Sequence, residues 1–145
     1  GPVRRGRGVI MPFTFAQKVL FKHCDPAGIA FYPRLCEMIN DATGALFDAV
    51  LDWPFETLHP EHAVPTAALN IQFRTPCRMG DQLTLQLTVR KLGRTSLTLK
   101  TEALAGDELR FEAVSTLVCL GPGGRPTPWP EAVRSRVARM MEATA

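Results

Sequence analysis

The stretch FKHCDPAGIAFYP, Phe21 to Pro33, separates two kinds of pattern in the chain. Before it, Phe13, Phe15, Val19 and Phe21 share one side of an alternating run. Thr14, Ala16 and Lys18 take the other side, and Gln17 is a polar exception. A period of two predicts a β-strand from Phe13 to Phe21. After it, Leu35, Met38, Ile39, Ala42, Leu46, Ala49 and Val50 recur at steps of three and four. They predict a helix from about Pro33 to Val50. Pro33 suits the first helical position, where a missing N–H costs nothing.

Beyond the helix, DWPFETLHPEH (Asp52 to His62) carries two prolines and reads as a loop. Alternation then returns. Leu69, Ile71 and Phe73 alternate with Asn70, Gln72 and Arg74, and Leu83, Leu85, Leu87 and Val89 with their polar neighbours. After the turn KLGR, Leu97, Leu99, Thr101, Ala103 and Ala105 face away from Thr98, Lys100 and Glu102. Ala105-Gly106-Asp107-Glu108 is a hairpin connection. It leads into a strand from Leu109 to about Leu120 whose far half, apolar on both faces, is expected to be covered on both sides. One strand, one long helix and four further strands without βαβ alternation predict an α+β fold. A five-stranded antiparallel sheet is expected to wrap around a long central helix.

Composition narrows the function. The chain has 145 residues, 46% hydrophobic and 21% charged, enough for one core without disulfides. No apolar run approaches the ~20 residues needed to span a bilayer. The start, GPVRRGRGVIM, lacks an apolar core of signal-peptide length. Residues 1–12 are expected to be an arm outside the fold, 13–121 the folded domain, and 122–145 a Pro/Gly linker, GPGGRPTPWP, with a weakly amphipathic C-terminal helix. Cys24, Cys36, Cys77 and Cys119 show no CxxC spacing, so the expectation is a reducing cytoplasm with neither disulfides nor zinc. A net charge of +3 suits a phosphorylated ligand and is too weak to argue for nucleic acid. Arg134, Arg136 and Arg139 read as a solvated helix face.

Other chemistries find little support. The three serines, Ser96, Ser115 and Ser135, lie outside any GxSxG turn. Gly121-Pro122-Gly123-Gly124 lacks the rest of a phosphate loop. His59 and His62 flank Glu61 at a spacing open to a metal, but beside Pro60 a solvated loop is expected, and no metal site. Cys24 reads as a small buried thiol because no histidine base is placed except by adjacency at His23.

Asp25 has two readings. An Asp before Pro is often a turn residue. Yet Asp25 lies eight residues before Pro33, too far to cap the helix, and the apolar AGIAFY between them reads as a pocket lining. A carboxylate beside an apolar pocket and a helix N-terminus suits acyl chemistry, because the helix start offers unpaired N–H groups and partial positive charge. Pro33 has no N–H, so the candidate donors are Tyr32 and its neighbours.

CDPAGIAFYP closely resembles the D-P-A-G-I-x-x-Y-P motif of the 4-hydroxybenzoyl-CoA thioesterase family, one of the hot-dog-fold acyl-CoA thioesterases. The likeness extends from about Phe13 to Leu120, including VPTAALNIQF. It implies a hot-dog fold, with Asp25 as the catalytic carboxylate and the Tyr32 N–H polarising the thioester carbonyl. It also implies a homodimer or homotetramer with active sites at subunit interfaces. The substrate expected is an aromatic, benzoyl-type acyl-CoA bound near His23, Gly28, Ile29, Phe31, Asn40, Pro65 and Thr66. Arg74, Arg90, Lys91 and Arg94 are expected to meet the coenzyme A phosphates. No cofactor, nucleic acid or membrane partner is implied. His23 and Asn40 depart from the family pattern, each standing where an acidic residue is expected, and Asn40 where that acid would read a 4-hydroxyl. Two readings stand beside hydrolysis: a non-catalytic acyl-CoA or acyl-carrier-protein binding module, and a dehydratase, for which the histidine-bearing helix motif is missing. Whether Asp25 attacks the carbonyl or activates water stays open.

Overall fold

The computed structural model describes residues 12–58 and 61–143. The expected arm (apart from Pro12) and His59 lie outside the described residues. The elements run β1 (Phe13–Lys18), α1 (Tyr32–Ala49), β2 (Thr66–Phe73), β3 (Gln82–Leu92), β4 (Ser96–Ala105), β5 (Glu108–Val118) and α2 (Glu131–Ala143), with three short 3-10 turns. The five strands form one sheet in the order β1-β3-β4-β5-β2, antiparallel throughout. The α+β fold expected from the sequence is the one observed.

Alternation decides which face of the sheet is covered. Leu83, Leu85, Leu87 and Val89 of β3, Leu97, Leu99 and Ala103 of β4, and Phe111, Ala113 and Leu117 of β5 are buried. They share one core with Leu35, Met38, Ile39, Ala42, Leu46 and Phe47 of α1. Fully burying a side chain such as Phe47 or Met38 contributes on the order of 1.5–3 kcal/mol. The helix stripe differs from expectation at its end: Phe47 and Thr43 are buried, whereas Ala49 is exposed. The larger aromatic ring takes the core position, its centroid 4.9 Å from that of Phe55 and its plane tilted by 42°.

Three other sequence expectations are corrected. The first strand stops at Lys18, and Phe21 lies in a 3-10 turn, 81% exposed. The Leu20 N–H is taken by the His23 ring, so the chain leaves the sheet there. β2, an edge strand paired only to β5, alternates in sequence but is exposed along nearly its whole length, whereas the other edge strand, β1, is half-buried at every second residue. The Pro/Gly segment read as a linker is packed. Its Thr127 N–H donates to the Cys119 carbonyl, and Trp129 is buried with its Nε1 donating to the Ser96 carbonyl at 3.0 Å. Val133 and Val137 of α2 join the same core. At the end of β5, Leu117 and Cys119 are buried while Thr116, Val118 and Leu120 are half-buried, so the second face is partly covered. Among the described residues no helix is long and apolar enough to cross a membrane.

Candidate active site

The Asp25 loop is a small closed hairpin. Cys24 bridges Ala30, the Asp25 N–H donates to the Ile29 carbonyl at 2.9 Å, and the Gly28 N–H donates to the Asp25 carbonyl at 2.9 Å. Gly28 adopts φ +79°, which a residue with a Cβ takes only at a cost. The Asp25 side chain serves the turn as well: Oδ1 accepts from the Ala27 N–H at 2.9 Å and from the Ile29 N–H at 3.4 Å. The turn-residue reading is therefore correct as geometry. It uses one carboxylate oxygen. Among the described residues Oδ2 meets no donor, and the residue is exposed.

At the base of the hairpin the helix begins. Phe31 is the extended N-cap and its N–H donates to the His23 carbonyl at 2.8 Å. Pro33 has no N–H, and the Arg34 N–H donates to the Phe31 carbonyl at 2.8 Å. That leaves the Tyr32 N–H, which has no acceptor among the described residues. A backbone donor at a helix start, aligned with the macrodipole, suits an oxygen bearing negative charge.

Beside Tyr32 lies a cleft of about 330 Å³. Ile29, Ala30, Tyr32 and Leu35 line one wall, and Phe73, Arg74, Thr75, Pro76, Cys77 and Arg110 the other. Of the sequence-predicted residues, Ile29, Tyr32 and Arg74 line it. Asp25, His23, Gly28 and Phe31 stand outside that lining, in or next to the hairpin. His23 is 6% exposed, and its Nδ1 accepts the Leu20 N–H at 2.9 Å. Burial, assisted by Lys22, lowers its pKa. Cys24 is half-buried rather than buried, its thiol donating to the Leu20 carbonyl. Burial pushes the Cys77 thiol up, although Arg110 beside it opposes this.

The remaining predicted residues lie at the other end of the sheet. Phe73 is in register with Phe111, Ala103 and Leu85, whereas Thr66 is in register with Leu117, Leu97 and Leu92. These two rows are separated by roughly 24 Å along the strands. Pro65 and Thr66, together with Arg90, Lys91 and Arg94 around the β3–β4 turn, belong to the second end. Asn40, about 12 Å along α1 from Tyr32, lines a separate depression of about 370 Å³ with Phe55, Leu58, Val64, Pro65 and Leu120. Within one chain, then, Arg74 cannot act together with Arg90, Lys91 and Arg94 on one phosphate group. Arg74 is also engaged by Glu112 at 2.8 Å.

Sequence reasoning missed Arg110, Phe73 and Thr75 as cleft residues. Arg110 occupies a polar slot in the β5 alternation, where an arginine reads as solvent-facing, and no local signal marks it.

Residues 19–112 match the model of the thioesterase superfamily. The chain is 27% identical to a 1,4-dihydroxy-2-naphthoyl-CoA hydrolase of Acaryochloris marina over 115 residues, 77% of this chain and 84% of that protein. Its fold is similar to that of a 1,4-dihydroxy-2-naphthoyl-CoA thioesterase from Synechocystis, with TM-score 0.81, 20% identity and coverage of 88% and 96% of the two chains. It is also similar to a Staphylococcus aureus protein solved in complex with CoA, with TM-score 0.85, 15% identity and coverage of 97% and 90%. The hot-dog fold and the thioester-hydrolase class expected from the CDPAGIAFYP motif both stand, and the chain belongs to the thioesterase superfamily.

Proposed function

We propose that this protein hydrolyses an aromatic acyl-CoA to the free acid and coenzyme A. One observation carries the reading: among the described residues, one oxygen of the exposed Asp25 carboxylate meets no donor, and the hairpin that bears it leads into the helix start at Tyr32, whose N–H has no acceptor. The thioester carbonyl accepts from Tyr32 N–H, which stabilises the oxyanion by roughly 3 kcal/mol. Asp25 either attacks the carbonyl carbon or takes a proton from the attacking water. The leaving thiolate, with a thiol pKa of roughly 8.5, needs little acid assistance, so the reading assigns no cofactor. The relatives named for 1,4-dihydroxy-2-naphthoyl-CoA support an aromatic acyl group.

The working unit in this reading is a homodimer, or a homotetramer built from it, with each active site at the subunit interface. β2 leaves one edge unpaired and exposes Leu69 at 41% and Phe73 at 52%. Such an edge invites a second strand. Antiparallel pairing of two β2 edges about a two-fold axis sets the Asp25 end of one subunit against the Thr66 end of the other. Asn40, Pro65 and Thr66 of the second subunit then complete the acyl site. Its Arg90, Lys91 and Arg94 lie on the side where Arg74 of the first subunit can share the CoA phosphates. Four free thiols suit the reducing cytoplasm.

Thiol release from benzoyl-CoA and octanoyl-CoA tests the reading. Faster turnover of benzoyl-CoA is expected. Release from neither overturns hydrolysis, and a preference for octanoyl-CoA overturns the aromatic assignment.

A further inference from the structure

The Asp25 hairpin makes few contacts that hold it in place, and several of them lead to one segment. Ala30 N–H donates to the Cys77 carbonyl at 2.7 Å, Met79 N–H donates to the Gly28 carbonyl at 3.1 Å, and Ile29 bridges Arg78. Segment 74–81, which joins β2 to β3, therefore sets where the hairpin sits. That segment has no regular structure of its own to hold it rigid.

A single residue of β5 grips it at four points. The Arg110 carbonyl accepts from the Arg74 N–H at 2.8 Å and the Thr75 N–H at 3.1 Å. Its Nη1 donates to the Pro76 carbonyl at 3.0 Å and to Asp81 Oδ2 at 2.6 Å. The same Asp81 oxygen accepts the Arg78 N–H at 2.8 Å, closing the turn that carries Arg78 and Met79. Glu108 Oε1, 2.7 Å from Nε, fixes the guanidinium plane from the far side. The Arg110 side chain is 14% exposed, which limits competition from water. The Asp81 carboxyl is held below its ordinary range by the Arg78 N–H and then by Arg110.

We propose that Arg110 and Asp81 form a positioning clamp that holds segment 74–81, and through it the Asp25 hairpin, in the geometry used for thioester hydrolysis. The rate consequence rests on the function proposed above, whereas the mechanical consequence does not. Neither residue is assigned contact with the reacting atoms. The clamp acts through the backbone at Cys77, Arg78 and Met79. Asp81 and Arg110 stand 29 residues apart in sequence, so the clamp ties the loop to β5 at the irregular step opposite Ala103 and Leu104.

The test uses two variants of the full chain, Asp81→Asn and Arg110→Lys. Amide hydrogen exchange reports the clamp, and thiol release reports its use. In Asp81→Asn, the Ala30, Phe31 and Met79 amides should exchange at least 10-fold faster, while Leu99 and Ala113 in the central strands stay as in the parent. For a parent that turns over acyl-CoA, kcat should fall about 10-fold or more with KM within about 3-fold. Arg110→Lys, which keeps one charged donor, should recover part of both effects. Loop exchange unchanged in both variants overturns the clamp. So does acceleration spread equally over loop and central strands, which marks general destabilisation. A parent without turnover defeats the functional reading, and the exchange data still decide the clamp.

Discussion

The Nδ1 of His23 accepts the Leu20 N–H at 2.9 Å, in a residue that is 6% exposed. This bond turns the chain out of β1 and into the Asp25 hairpin, and it requires an unprotonated Nδ1. Burial lowers the His23 pKa below the ordinary 6.5; Lys22 and Arg34 push the same way, against Glu37 and Asp41. The stabilising contribution is then complete above about pH 6.5 and is lost as pH falls through the folded-state value, because the unfolded chain binds the proton first. Asp81 and Glu112, lowered from 3.8 and 4.5, lose their contributions only at lower pH. Thermal melting from pH 7.5 to 5 should show Tm declining below pH 6.5, by about 2–4 °C per kcal/mol lost. His23→Asn, whose side-chain oxygen can accept the same N–H, should flatten that decline. A parent with a level Tm over this range contradicts the assignment.

Gly28 isolates backbone cost from crowding. A Cβ there meets nothing within 4 Å, yet φ is +79°. Gly28→Ala should cost on the order of 1–2 kcal/mol through the left-handed backbone alone. Relaxation would disturb the Gly28 N–H bond to Asp25 and the carbonyl bond from Met79. Turnover should therefore fall more than KM rises, and Gly28→Asn should be milder on both counts. Equal effects of Ala and Asn, measured by melting and thiol release together, would remove the conformational argument.

Leu69 on the exposed edge of β2 tests whether two chains make one site. Leu69→Lys puts charge on the face expected to meet a second copy, while the residue is already 41% exposed in one subunit. Sedimentation should show a shift to monomer, with activity reduced about 100-fold or more and Tm close to that of the parent's subunit. A fully active monomer, parent or variant, rules out the shared site.

Arg94 separates phosphate binding from chemistry. It is exposed at the β3–β4 turn, far from Asp25 within its own chain. Arg94→Gln should raise KM for the CoA ester several-fold and leave kcat nearly unchanged, as expected for uniform binding. An unmoved KM removes Arg94 from the phosphate site.

Much of this molecule is legible in one dimension because its periods are clean. The two-residue alternation from Leu83 to Ala113 and the helical stripe from Leu35 to Leu46 each describe a single face. Edge exposure is not legible in that way. Leu69, Ile71 and Phe73 alternate identically whether a helix or another subunit covers them. Trp129 sits in a run of prolines that reads as a tether, and only the three-dimensional meeting with Phe47, Trp53 and Ser96 makes it core. Asp25 and Tyr32 stand out because the chemistry is packed into ten consecutive residues. Arg110 and Asp81 are 29 residues apart on unremarkable polar slots, so their pairing has no local signature.

The central claim is that Asp25 does chemistry in addition to closing its turn. Asp25→Asn keeps an oxygen able to accept the Ala27 and Ile29 N–H groups, and so keeps the hairpin, while removing the charge. Thiol-release kinetics and melting on the same sample should show Tm within a few degrees, KM little changed, and kcat lower by at least ~10². An Asp25→Asn protein that turns over acyl-CoA within a few-fold of the parent would contradict the account.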